Sequence, residues 1–295
     1  MFHHLKCSGI LGAVSVMVLQ LGGSFSARAD DDNKCTPPPA GLVSWWPGDG
    51  NAKDIVGQNT GLLFGGATFA PGFVGHAFRF NGSTAFVQAT TFNMPTGNAD
   101  RTLEMWVKLD ATVPADNPTI AYFESFFAGY GNFGTSAAAF LLFAEHEPPY
   151  GNVLAWTQWF DQLAGPLLFA AQPYQDNHGW HHVAVTNLGG TNIGIVLFLD
   201  GVPVARRQGF DISTPAGTSF FMGRIPGPLG DIRRMKGELD EVSIYNRALA
   251  PHEIAAIFAA GKAGKCKPYW ESSLYPSKVS ASAALGLRKK GTSSR

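Results

Sequence analysis

Three carboxylates crowd one short stretch late in the chain, Glu238-Leu239-Asp240-Glu241. Such a cluster invites a glycosidase reading, because retaining hydrolysis needs an acid/base and a nucleophile about 5 Å apart on one face. If the stretch is a strand, Glu238 and Asp240 share a face. The positions that would extend the row are Val242 and Ser243, so a third carboxylate is missing. Glu104 is a second candidate acid, but it lacks a partner carboxylate, and Arg101 or Lys108 can pair with it. His181-His182 is a tempting metal pair, yet adjacent strand residues point to opposite faces. No nucleophile elbow, P-loop or zinc spacing occurs. The chain is therefore expected not to be an enzyme.

Two other chemistries stay open. Calcium takes six to eight hard oxygens from carboxylates and loop carbonyls. Asp49 and Gly50 follow an early strand candidate, and Asp240 lies in a late one. If those strands are neighbours, Asp49, Gly50 and Asp240 converge as ligands of at most one structural Ca²⁺, with Asp54 as a further donor. The competing reading gives Asp49 to a turn and Asp240 to the capping of loop amides. The second chemistry is sugar stacking on aromatic rings, for which Tyr130, Tyr150, Trp156 and Trp159 are the candidates. Tyr130 and Tyr150 have Gly and Pro around them and read as loop residues. Alternation puts Trp156 and Trp159 on opposite faces, one in the core and one exposed.

These residues need a scaffold, and the chain reads as all-β. Strand candidates recur at short intervals: 42–46, 60–64, 77–80, 85–89, 102–109, 119–123, 138–144, 153–159 and 167–171, then 181–186, 194–199, 202–208, 220–224 and 237–245. In Leu103-Glu104-Met105-Trp106-Val107-Lys108-Leu109 the apolar residues at alternate positions form one buried face. Asn81-Gly82 and Asp200-Gly201 signal two hairpins. The good helix comes late. Pro251 suits its first turn, Glu253 complements its N-terminus, Ile254, Ile257 and Phe258 make an apolar stripe, and Gly261 ends it. That stripe is expected to dock on the edge of a two-sheet antiparallel sandwich.

The chain has 295 residues, with 22 Phe, 7 Trp and 35 Gly. Lys6, an apolar run over 10–21 and Ala27-Arg28-Ala29 read as a signal peptide over 1–29. A Pro-rich entry segment follows over 30–40. Removal of Cys7 leaves Cys35 and Cys266, which are expected to pair in an oxidising compartment. Residues 30–266 carry 14 basic and 21 acidic side chains, a balance that argues against nucleic acid as the partner. Residues 267–295 carry 6 basic and 1 acidic, and read as a disordered basic tail. The apolar run is too short for a membrane span.

Several motifs, in order, resemble the bacterial LamG-like jelly-roll domains. They are 41–50 with Asn51-Ala52-Lys53-Asp54, then Gly72-Phe73-Val74-Gly75-His76-Ala77-Phe78-Arg79-Phe80-Asn81-Gly82, then 102–108. Gly179-Trp180-His181-His182-Val183-Ala184-Val185-Thr186 and Leu197-Phe198-Leu199-Asp200-Gly201 follow, with 236–249 as the closing strand and 250–258 as the terminal helix. The resemblance covers about 41–261 and implies the concanavalin A-like lectin/glucanase superfamily, with a jelly-roll domain over 41–266. It implies a structural Ca²⁺ held through a closing-strand aspartate. Laminarinase-type endoglucanases space their carboxylates as E-x-D-x-E or E-x-D-x-x-E, and this chain departs from that pattern. The expected role is a secreted or envelope-exterior module that binds a glycan or an extracellular surface protein. The alternatives are a polysaccharide-active hydrolase or lyase, and a structural surface or matrix interaction domain.

Overall fold

The computed structural model describes residues 34–110, 124–133, 135, 137–147, 151–158, 168–171, 179–190, 194–209, 211–225 and 234–268. Tyr150, Trp159, the leader, the 119–123 strand candidate and residues 269–295 lie outside the described residues. The first strands are β1 (Leu42–Trp46), β2 (Leu62–Phe64), β3 (Thr68–Pro71), β4 (His76–Asn81), β5 (Phe86–Ala89) and β6 (Arg101–Leu109). Then come β7 (Glu124–Gly131), β8 (Ala139–Glu147), β9 (Gly151–Thr157), β10 (Leu168–Phe169) and β11 (His181–Leu188). β12 (Gly194–Leu199), β13 (Val202–Arg207), β14 (Phe220–Met222) and β15 (Lys236–Tyr245) complete the set, followed by α1 (Pro251–Ala259).

Two antiparallel sheets face each other as a jelly-roll sandwich. One has eight strands in the order β13-β12-β11-β6-β15-β4-β3, with β1 also on β15. The other has seven, in the order β10-β9-β8-β7-β14-β5-β2. The alternation read in β6 holds: Leu103, Met105, Val107 and Leu109 all enter the core between the sheets, among Trp46, Phe78, Phe127, Trp156 and Phe220.

β15 organises the eight-stranded sheet. Its one edge is taken by β6. Its other edge is shared: β4 pairs with residues 236–239, and β1 pairs with residues 242–245. The early and late strands are thus neighbours, with Trp46 opposite Val242. Where β4 leaves and β1 enters, β15 carries a bulge between Asp240 and Ser243, and Glu241 sits at φ 57°. A left-handed non-glycine residue inserts one extra position and shifts the alternation. Leu239, Val242 and Ile244 therefore all reach the core.

Two local readings change. Asp200-Gly201 is a two-residue hairpin with both residues at positive φ (49° and 79°), joining Leu199 to Val202. Asn81-Gly82 is not a hairpin, because β4 and β5 belong to different sheets. There the Asn81 side chain accepts the amides of Ser83, Thr84 and Ala85 and turns the chain across the sandwich. The helix also differs. Ile254 and Ile257 pack with Ala184, Phe198, Tyr245 and Leu249 on the outer face of the eight-stranded sheet, with the edge strand β13 beside the helix. Gly261 follows the helix at φ 53°, as its spacing suggested.

Candidate functional site

The strand junction at Asp240 gathers more charge than the sequence suggested. The Asp49 turn closes on it, and Asp49 Oδ1 accepts the His76 amide (2.8 Å). Asp240 Oδ2 accepts the Val74 amide (2.8 Å), and its Oδ1 is buried without a hydrogen-bond partner. Burial and the neighbouring Glu241 charge push the Asp240 carboxyl well above the usual carboxylate range. The bulge turns Glu241 toward the same junction, where it is also buried.

Positive charge comes from the segment around Cys266, which pairs with Cys35 in a disulfide. Thr36 and Lys265 form a bridge beside it. In an extended chain, residues i and i+2 face one way. Cys266 points to Cys35, while Lys265 and Lys267 both point into the junction. Lys265 Nζ lies 2.9 Å from Glu104 Oε1 and 3.6 Å from Glu241 Oε2, over the Trp45 ring. Lys267 Nζ is ion-paired with Asp49 Oδ2 and lies 3.6 Å from Glu241 Oε1.

The calcium ligand set can be tested against this geometry. The Asp49 oxygens are committed to the His76 amide and to Lys267, and one Asp240 oxygen is committed to Val74. Asp54 is no further donor, because its two oxygens accept the amides of Trp45, Val56, Gly57 and Asn59. Among the described residues, no group of three or more His, Cys, Asp or Glu side chains is placed to hold a metal ion. The residues present do not fit a calcium ion while an ammonium stands among them.

The carboxylates first considered for catalysis are held elsewhere. Glu238 is ion-paired with Arg79 and Lys108. Glu104 is completely buried and meets Lys265 and His182 (3.1 Å), not Arg101 or Lys108. Burial alone would raise its carboxyl, but Lys265 and His182 outweigh burial and hold it at about 2. His181 and His182 have separate partners, Asp200 and Glu104, as opposite faces require.

Two of the aromatic candidates are corrected. Tyr130 lies within β7 and is 1% exposed. Its hydroxyl donates to the Pro95 carbonyl and meets Arg101 (3.0 Å), and burial pushes it up to about 12. The glycines beside it serve close strand packing, not a loop: a Cβ on Gly129 would lie 2.4 Å from the Phe140 carbonyl oxygen. Trp156 is fully buried against Phe140 in the core.

An open aromatic surface lies elsewhere, at one end of the three adjacent strands β14, β5 and β2. Phe92, 53% exposed, lines a cleft of about 530 Å³ with Gln58, Thr90, Thr91, Asn93 and Thr218. Its lining carries no charged side chain. Buried Asn59 fixes the backbone that presents the ring. Its Oδ1 accepts the Phe92 amide (2.7 Å) and its Nδ2 donates to the Phe92 carbonyl (2.9 Å). Thr91 Oγ1 donates to the Thr218 carbonyl and ties the two rims together (2.8 Å). Phe86 and Gln88 alternate with core residues Val87 and Ala89, so they lead along the outer sheet face toward this cleft. Phe86 stacks on Phe64 there (4.8 Å). Nothing in the sequence distinguished Phe92 from the other 21 Phe residues. The alternation Lys265-Cys266-Lys267 was a readable signal for the junction.

A family model described as the concanavalin A-like lectin/glucanases superfamily matches residues 81–255. No curated protein matches the chain. Among solved structures, domain 4 of the extracellular arabinanase AbnA from Geobacillus stearothermophilus, in complex with arabinotriose, is similar. It shares 18% identity at a TM-score of 0.52, over 72% of this chain and 96% of that one. A Trypanosoma rangeli sialidase is similar at 19% identity and a TM-score of 0.52, over 76% of this chain and 35% of that one. The binding domain of Paraclostridial Mosquitocidal Protein 1 follows at 14% identity and a TM-score of 0.52, over 74% and 52%. At these identities the likeness is one of fold.

Proposed function

Because the chain belongs to the concanavalin A-like lectin/glucanases superfamily, we propose that it is an exported, non-catalytic binding domain that takes neutral sugar units in the Phe92 cleft. The observation that carries this reading is an exposed ring on a locked backbone beside uncharged hydrogen-bonding groups. A pyranose presents an apolar C–H face and a rim of hydroxyls. The ring of Phe92 suits the first, and Gln58, Asn93 and the threonines suit the second. Pre-ordering by Asn59 lowers the entropy lost on binding. The absence of charge on the lining favours neutral sugars over sialic or uronic acids.

The non-catalytic part rests on the carboxylates. Glu238 is tied into an ion-pair network and Glu104 is sealed from solvent, so neither is free to act on a glycosidic bond. Export is supported by the disulfide, which suits an oxidising compartment. Among the described residues, no helix is long and apolar enough to cross a membrane.

A neutral-glycan array followed by calorimetry tests the reading. Phe92→Ala is expected to weaken binding about tenfold with an unchanged melting temperature, since the ring is exposed. An array without hits, or a variant that binds as well as the native protein, would overturn it. Reducing sugar released from the bound glycan would overturn the non-catalytic part.

A further inference from the structure

The junction at Asp240 holds four acidic side chains and two ammonium groups in one partly sealed space. Glu104, Asp240 and Glu241 are buried, and Asp49 closes the outer side. A buried carboxylate normally collects hydrogen-bond donors, because loss of hydration is otherwise uncompensated. Here both Glu241 oxygens and Asp240 Oδ1 have none. Compensation for Glu241 comes instead from charge, with Lys265 and Lys267 each 3.6 Å from one of its oxygens. That arrangement is what a cation does when it sits among oxygens without donating to all of them. Both lysines arrive on one short extended segment, and the residue between them is the cysteine bonded to Cys35. The Cys266 amide donates to the Thr36 carbonyl and the Thr36 amide to the Gly264 carbonyl, which fixes the direction of both side chains.

We propose that Lys265 and Lys267 are a tethered replacement for a divalent cation, delivered to the strand junction by the Cys35–Cys266 disulfide. The chain carries its own counter-charge for the acidic cluster, and its closing strands hold together without a metal. The disulfide and the two lysines form one device: the covalent link sets the position, and the two ammonium groups offset part of the carboxylate charge. This inference is independent of sugar binding at the Phe92 cleft.

Thermal unfolding in chelator and in millimolar calcium is the test, supported by native mass spectrometry. The native protein should melt at the same temperature in both and carry no calcium. Lys267→Met should lower the melting temperature by about 5–10 °C. Adding Asp49→Asn should recover part of that loss, because it removes the negative charge that Lys267 offsets. Lys267→Arg keeps the charge and should retain most of the native value, and exposed Lys262→Met should change nothing. Native protein that binds calcium or is stabilised by it would overturn the proposal, even if a lysine variant fails to fold. So would a Lys267→Met protein that melts like the native one, or an Asp49→Asn/Lys267→Met protein no better than the single variant.

Discussion

Glu104 shows how one buried carboxylate makes stability depend on pH. Its side chain is completely inaccessible, and Lys265, His182 and Tyr245 surround its oxygens. Its carboxyl is held at about 2 against an ordinary 4.5, because Lys265 and His182 outweigh the effect of burial. A depressed carboxyl contributes stability that is present above the unfolded value and lost as pH falls through the folded one. The contribution should therefore be complete above pH 5 and fade between about pH 4.5 and 2, by roughly 3 kcal/mol. Asp240 and Glu241 act in the opposite sense, because burial raises both, so their protonation favours the folded state as pH falls. The prediction is therefore best read as a difference. Glu104→Gln should be less stable than the native protein at neutral pH, and the gap should close toward pH 2 in denaturant titrations. A gap that does not vary with pH would contradict the assignment. The same residue marks a limit of sequence reading. Glu104 stood out in the sequence as a lone strand glutamate, but its partner Lys265 is 161 residues away, next to the cysteine that bonds Cys35. Tyr130 misled for a related reason, since flanking glycines signal a loop as readily as a close strand crossing.

At the scale of elements, most of what was legible came from period-two alternation. It gave β6 its buried face, and two separated cysteines gave the link between residues 35 and 266. The bulge in β15 was not legible, because nothing in Asp240-Glu241-Val242 announces a left-handed glutamate. That single position turns Asp240 and Glu241 toward one junction instead of opposite faces. The turn dipeptides were legible only in part, since Asn81-Gly82 and Asp200-Gly201 look alike but serve an arch and a hairpin. β2 raises a different matter. It ends the seven-stranded sheet and carries exposed Leu62, Leu63 and Phe64. Among the described residues it pairs along one edge only, with β5. An exposed apolar edge strand offers unpaired amides and carbonyls to another chain. Leu62, at 65% exposure, can take a charge without a core cost. Leu62→Lys should leave stability within about 0.5 kcal/mol of the native value and reduce concentration-dependent association in light scattering. Unchanged association would show that this edge is already protected.

For the molecule as a whole, the disulfide can act in two separable ways, through chain entropy and through placement of the lysines beside it. The link spans 231 residues, almost the whole of the described chain. Loop-closure entropy alone therefore gives a ceiling of about 5 kcal/mol for its stabilisation. An entropic link acts on the unfolded chain and should be indifferent to the side chains around it. A link that also positions Lys265 and Lys267 should not be. Without the Cys35–Cys266 bond, the segment keeps its backbone hydrogen bonds to residue 36 and its lysine contacts but loses the covalent link, so the lysines should be delivered less firmly. Lys267→Met should then cost less in a Cys35→Ser/Cys266→Ser background than in the native one. A double-mutant cycle built from denaturant unfolding should show a coupling of about 1 kcal/mol or more between the bond and the lysine. Costs that simply add would mean that the bond works through chain entropy alone, and that the acidic junction recruits its lysines without help from it.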